Sequence, residues 1–188
     1  TDENRLIELV EETKAGWDMD AFRRGHTLVM HRVLSYVSPV EQFCDAGEFT
    51  NYQFISALSK TIRENAKEVA TKLASVMEKV FTRKSLTIEI TASEDDFHKA
   101  SDALTAWTKA LPEGVLSKDL CQFPVQAKNE GIMTSGKVQY VAKGGNFRDH
   151  GYEYTGSLLV LDTILQYGYL WTKIRVQGGA YGAFTRFY

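Results

Sequence analysis

Cysteine is scarce in this chain. Cys44 and Cys121 stand 77 positions apart, form no Cys-x-x-Cys pair and have no histidine close by in sequence. That spacing excludes a disulfide scaffold and gives a thiol nucleophile no local support, so both read as buried or half-buried thiols of an intracellular protein. Long apolar runs are missing too. The longest candidate, Leu158 to Leu165, contains Asp162 and falls well short of the ~18 residues of a membrane span. No excess of basic charge exists: 22 Lys and Arg face 24 Asp and Glu, a net charge of -2. Nucleic-acid recognition needs a concentrated basic face, so that class of partner is excluded. The charged stretch from Thr1 to Lys14 excludes a signal peptide at the start of the sequence. Internal repeats and low-complexity segments are absent.

Neither His-x-x-Glu-His nor His-Glu-x-x-His occurs. His26 and His31 are spaced by five, which on a helix of ~3.6 residues per turn rotates the second side chain by about 140° from the first. They do not converge on one metal as an i,i+4 pair can. His98, in an acidic helix, and His150, in the polar stretch Arg148-Asp149-His150-Gly151, read as surface residues. No metal ligand set is expected in the chain.

What is present is the composition of a globular domain, 188 residues with 44% hydrophobic and 24% charged. Leu6, Leu9 and Val10 make an apolar face on a helix over 2–15, ended by Gly16. A second helix runs from about Asp18 to Tyr36, and Pro39 stops it. Thr50 and Gln53 form a capping box for a third. There Ile55, Leu58, Ile62, Ala66, Val69, Leu73, Val76 and Val80 follow each other by threes and fours, a stripe that belongs against a core. Leu86, Ile88 and Ile90 alternate with polar residues, so 85–92 predicts a half-buried strand. Ser93 caps the next helix, whose acidic first turn suits the helix dipole. The stretch 112–117 reads as a linker. Short strands at 122–127 and 137–143 follow, then a helix over 155–173 with Leu158, Leu161, Ile164 and Leu165 facing inward, then a strand from Ala180 to Tyr188. The fold class expected is α+β.

The most specific stretch is Leu170-Trp171-Thr172-Lys173-Ile174-Arg175-Val176-Gln177-Gly178-Gly179-Ala180-Tyr181-Gly182. It resembles the Leu-Trp…Arg-x-x-Gly-Gly-Ala-Tyr-Gly segment of the presequence-protease and falcilysin branch of the insulinase/pitrilysin zinc metallopeptidases. Val138-Gln139-Tyr140-Val141-Ala142-Lys143 resembles the strand that opens the fourth domain of that branch. Gly25-His26 through Ser38-Pro39 resembles a helical segment of its third.

The resemblance implies a clamshell enzyme of four related α+β domains. Residues 1–117 are then the C-terminal part of the third insulinase-type domain. Residues 118–188 are the N-terminal part of the fourth, with a mainly antiparallel sheet. The zinc site, an inverted His-x-x-Glu-His with a distal Glu, is implied to lie in the N-terminal half, so zinc is expected as cofactor of the full-length enzyme with ligands outside this segment. The C-terminal half is implied to supply an arginine and a tyrosine near the scissile bond, positions that map onto Arg175 and Tyr181 as the catalytic pair. Gly178, Gly179 and Ala180 are expected to bind substrate, since a run with almost no side chain lets a peptide backbone approach. Two plainer roles stay open: a salt bridge at a helix C-terminus for Arg175 and a core-edge residue for Tyr181.

The function expected is that of a non-zinc-binding segment of an oligopeptidase for short unstructured peptides, inactive alone. The alternative is a catalytically inactive scaffold of the same superfamily. Expected partners are peptide substrates and the N-terminal half of the same protein, with no nucleic acid and no membrane. The expected location is intracellular, cytoplasmic in a bacterium, with a mitochondrial matrix or other organelle as alternative. A chain that starts on a helix and stops inside a strand pattern reads as a fragment.

Overall fold

The computed structural model describes residues 2–115, 122–134 and 136–188, which divide into two compact units, Thr1–Gly144 and Gly145–Tyr188. The expected boundary between 117 and 118 falls on residues outside those described, as does Cys121.

In the first unit, α1 (Glu3–Arg23) starts at Asp2, whose Oδ1 accepts from the Arg5 backbone N–H at 3.1 Å. It runs straight through Gly16, contrary to the expected stop. A glycine costs a helix interior about 1 kcal/mol, and the packing of α1 along α4 (Phe49–Val80) outweighs that. Val10, Ile62 and Ala66 are the buried centre of this contact, flanked by Leu6, Ile7, Leu58 and Val69. The long apolar stripe of α4 is therefore covered only as far as Val69. Leu73, Val76, Met77 and Val80 are exposed.

The single helix expected from Asp18 to Tyr36 is broken at Arg24 and restarts as α2 (Gly25–Leu34). The break leaves the last carbonyls of α1 without helical donors. One of them, Phe22 O, accepts from the Tyr140 hydroxyl at 3.1 Å. Gly25 makes room for that ring, because a Cβ there would stand 2.3 Å from Tyr140 Cδ2. Pro39 does more than stop a helix. It is the first residue of α3 (Pro39–Gly47), and Ser38 caps it by accepting from the Glu41 N–H. The capping box expected at Thr50 does not form, since Glu48 takes the N-cap position and Thr50 Oγ1 donates to Asp45 Oδ2 at 2.7 Å.

The α+β expectation is overturned: the described residues contain no strand and no sheet, and the regular structure is helical. Alternation of apolar and polar residues encodes an extended, two-faced backbone. A strand needs in addition a neighbour whose N–H and C=O groups complete a ladder. Residues 85–92, 122–127, 137–143 and 180–188 have no such neighbour among the described residues and are anchored by isolated contacts. The excursion through 85–92 and α5 (Glu94–Lys109) is closed at its neck by Arg83 N–H to Pro112 O at 2.9 Å and Lys84 N–H to Glu113 O at 3.1 Å. The segment after Phe123 is held on α3 by an edge-on contact of the Phe43 and Phe123 rings and by Gln42 Nε2 donating to Pro124 O at 3.0 Å.

The main polar anchor of the first unit is Arg32 on α2. Its Nη1 donates to Asp45 Oδ2 at 2.7 Å, while Nε and Nη2 fork onto the two Glu130 carboxylate oxygens at 2.7 and 3.0 Å. The Tyr36 hydroxyl also donates to Glu130. These bonds, first those from Arg32 and then the one from Tyr36, hold the Glu130 carboxyl down at about 2 against the opposing effect of burial. A carboxyl depressed from about 4.5 in the unfolded chain contributes stability that is fully present above 4.5 and lost as pH falls toward 2. Thermal melts of wild type and Glu130→Gln from pH 7 downward check this. The expected gap is about 1.5–3 kcal/mol at neutral pH, shrinking through that acid window. A gap independent of pH would refute the assignment.

Candidate functional site

The signature stretch lies wholly in the second unit. There α6 (Gly156–Thr163) passes into a wider helix with i→i+5 bonding, Ile164–Gln177, a geometry that is rare at this length and frequent at functional sites as short bulges. The helix ends on Gly178 and Gly179. The Gly179 N–H bonds Arg175 O at 3.1 Å and the Ala180 N–H bonds Ile174 O at 3.2 Å. Each bond reaches one residue further back than in the glycine cap that ends an α-helix, as the wider winding requires. Gly179 has φ of +73°, a left-handed conformation open to glycine at little cost. At Gly178 a Cβ would stand 2.6 Å from Ile174 O. Both glycines are therefore required by the turn itself, and the N–H groups of Gly179 and Ala180 are engaged in closing it.

That turn brings Arg175 and Tyr181 together. Arg175 Nε donates to the Tyr181 backbone carbonyl at 3.1 Å, and its guanidinium lies 4.1 Å from the centroid of the Trp171 ring. Two contacts thus fix the plane of the guanidinium, one polar and one of cation–π type. No salt bridge to Arg175 exists among the described residues. The Tyr181 side chain is 98% exposed, so it is not a core-edge packing residue within this unit. The arrangement is a fixed cation and an unobstructed phenol on one turn, two donors suited to an anionic or carbonyl oxygen.

Gln166, which the motif reading passed over, holds the chain beyond the turn. Its Nε2 donates to Ala183 O at 2.8 Å and its Oε1 accepts from the Thr185 N–H at 3.2 Å. No local sequence signal marks it, because its partners are 17 and 19 positions away. Leu161 and Ile164, expected to face inward, are exposed, while Leu158 and Leu165 are half-buried.

The first unit has an open cleft of about 990 Å³ between α2 and residues 128–142. Its strongest polar groups, Arg32, Glu130 and Tyr36, are bonded to one another, so the cleft is a joint between a helix and an extended segment. The two histidines of α2 part company there. His31 Nδ1 lies 2.9 Å from Glu41 Oε2, whereas the His26 ring stacks obliquely near Tyr140. No group of three or more His, Cys, Asp or Glu residues able to hold a metal exists among the described residues, so they do not fit a zinc ion. Cys44, expected to be buried or half-buried, is an exposed free thiol. No described helix is long and apolar enough to cross a membrane.

Comparison with known proteins divides along the chain. Residues 129–188 match the family described as the PreP C-terminal domain, and residues 1–58 match a second family, described as peptidase-associated. The chain is 31% identical to protein HypA of Clostridium perfringens over 187 residues, covering 99% of this chain and 19% of that protein. It is 26% identical to presequence protease 1, chloroplastic/mitochondrial, of Arabidopsis thaliana over 192 residues, covering 100% and 18%. An uncharacterized protein of Borreliella burgdorferi is 27% identical over 188 residues, covering 97% and 19%. The chain spans about a fifth of the length of these curated relatives.

Proposed function

We propose, from the fact that this chain belongs to the C-terminal region of the presequence-protease branch of the insulinase family, that it is the substrate-contacting, non-zinc-binding segment of a zinc-dependent oligopeptidase. The observation that carries this reading is the turn on which the Arg175 guanidinium is fixed against Trp171 and the Tyr181 carbonyl while the Tyr181 phenol stands free. When a peptide carbonyl is attacked, negative charge grows on its oxygen, and preorganised donors aimed at that charge lower the barrier. Arg175 and Tyr181 are the donors. The near-absence of side chains across Gly178, Gly179 and Ala180 lets a peptide backbone come alongside. Substrates are short unstructured peptides, and the partner is the N-terminal portion of the same polypeptide, which supplies the zinc ligands. The location is intracellular, in line with the chloroplastic/mitochondrial name of the Arabidopsis relative.

Metal analysis and peptide cleavage test the reading. The segment alone, after dialysis, is expected to retain no stoichiometric zinc and to cleave no peptide, whereas the longer protein does both and loses cleavage to a chelator. One zinc held per isolated segment, with chelator-sensitive cleavage, would overturn it. A longer protein that holds no zinc and cleaves nothing would favour the scaffold role instead.

A further inference from the structure

We infer that Gln166 is a positioning residue for Tyr181, acting through the backbone that follows it; the inference rests on the role proposed for Tyr181. A primary amide carries one donor face and one acceptor face, like a peptide group. In extended chain, the C=O of one residue and the N–H of the residue two further on lie along the same edge. Gln166 bonds that pair, Ala183 O at 2.8 Å and Thr185 N–H at 3.2 Å, and so stands in for one residue of a partner strand. The pairing sets the register of the segment. Ala183, Thr185 and Phe187 are half-buried, and Phe184, Arg186 and Tyr188 are exposed.

Tyr181 sits between two clamps. On one side Arg175 holds its carbonyl, and on the other Gln166 holds the chain two and four residues later. Both clamps arise from the same helix, Ile164–Gln177, so the backbone at Tyr181 has fixed ends on a single rigid element. The phenol itself touches little, being 98% exposed, and its aim is set by this backbone and not by side-chain packing. Without Gln166 the register of 183–185 has no polar anchor among the described residues.

The test uses the longer, zinc-loaded protein and a peptide substrate. Gln166→Met keeps the length of the side chain and removes both bonds. It is expected to lower kcat about tenfold with KM within about twofold, since small misplacement of a reacting group costs one to two orders of magnitude in rate. Gln166→Glu keeps the acceptor for Thr185 and loses the donor for Ala183, and should fall between wild type and Met. In a Tyr181→Phe background, Gln166→Met should cost less than about twofold more, because the group it positions is gone. Independent, multiplicative losses would overturn the inference, as would near-normal kcat in Gln166→Met beside a slow Tyr181→Phe. Near-normal turnover in Tyr181→Phe itself defeats the underlying reading, and the inference with it. Hydrogen exchange at the Thr185 amide gives a readout independent of turnover. It should accelerate at least tenfold in Gln166→Met and less in Gln166→Glu, and unchanged protection would overturn the clamp.

Discussion

Tyr181→Phe in the longer protein is expected to lower kcat by about 10²–10³ while leaving the melting temperature and the zinc content where they were. The structure separates the two effects. The Tyr181 side chain is 98% exposed in its unit, so deleting one hydroxyl removes no packing and no protein hydrogen bond to that oxygen. Surface changes of this kind ordinarily stay within about 0.5 kcal/mol. Any large loss of rate then belongs to what the phenol does to substrate. Arg175→Lys should fail for a related reason. The guanidinium is oriented by stacking on Trp171 and by its bond to Tyr181 O, and an ammonium reproduces neither the plane nor the fork of donors. Steady-state kinetics, metal content and melting temperature, measured together on both variants, decide the matter. A Tyr181→Phe protein with near-normal turnover would take the residue out of the mechanism.

The second large effect is on stability. Arg32→Met is expected to destabilise the protein by about 3–5 kcal/mol in chemical denaturation, a large share of the ~5–15 kcal/mol that holds an ordinary domain together. The Arg32 and Asp45 side chains are 12% and 2% exposed, so removing the guanidinium strands an acid that water cannot reach. Asp45 Oδ2 would keep only Thr50, and Oδ1 already has no partner among the described residues. Glu130 and Tyr36 would lose the cation that ties residues 128–142 to α2. Arg32→Lys is expected to recover a part of this only, since one ammonium does not serve Asp45 and a forked Glu130 together. A loss below about 1 kcal/mol in Arg32→Met would mean that the acids find water on their own.

Much of the local structure was legible in the residues. Ser93 with its acidic first turn starts α5, the apolar stripe through Ile62 and Ala66 makes α4, and the residues from Leu170 to Gly182 mark the family. The tight turn at Gly178–Gly179 could also be read in advance, because only glycine takes φ of +73° at little cost beside a carbonyl 2.6 Å from any Cβ. These features are set by neighbours within a turn or two of helix, where backbone sterics and caps act. What long-range contact decides was hidden. Alternation along 85–92 and 137–143 predicted strands, yet an extended segment becomes a strand only when another backbone completes its ladder, and none does so among the described residues. The break at Arg24 depends on Tyr140, more than a hundred residues away, and the buried Arg32 cluster joins residues 13 and 98 positions from it. Gln166 and Arg175 follow the same rule. Their types and positions are written in the chain, but what each one holds is set by which backbone groups folding leaves without a partner within their reach.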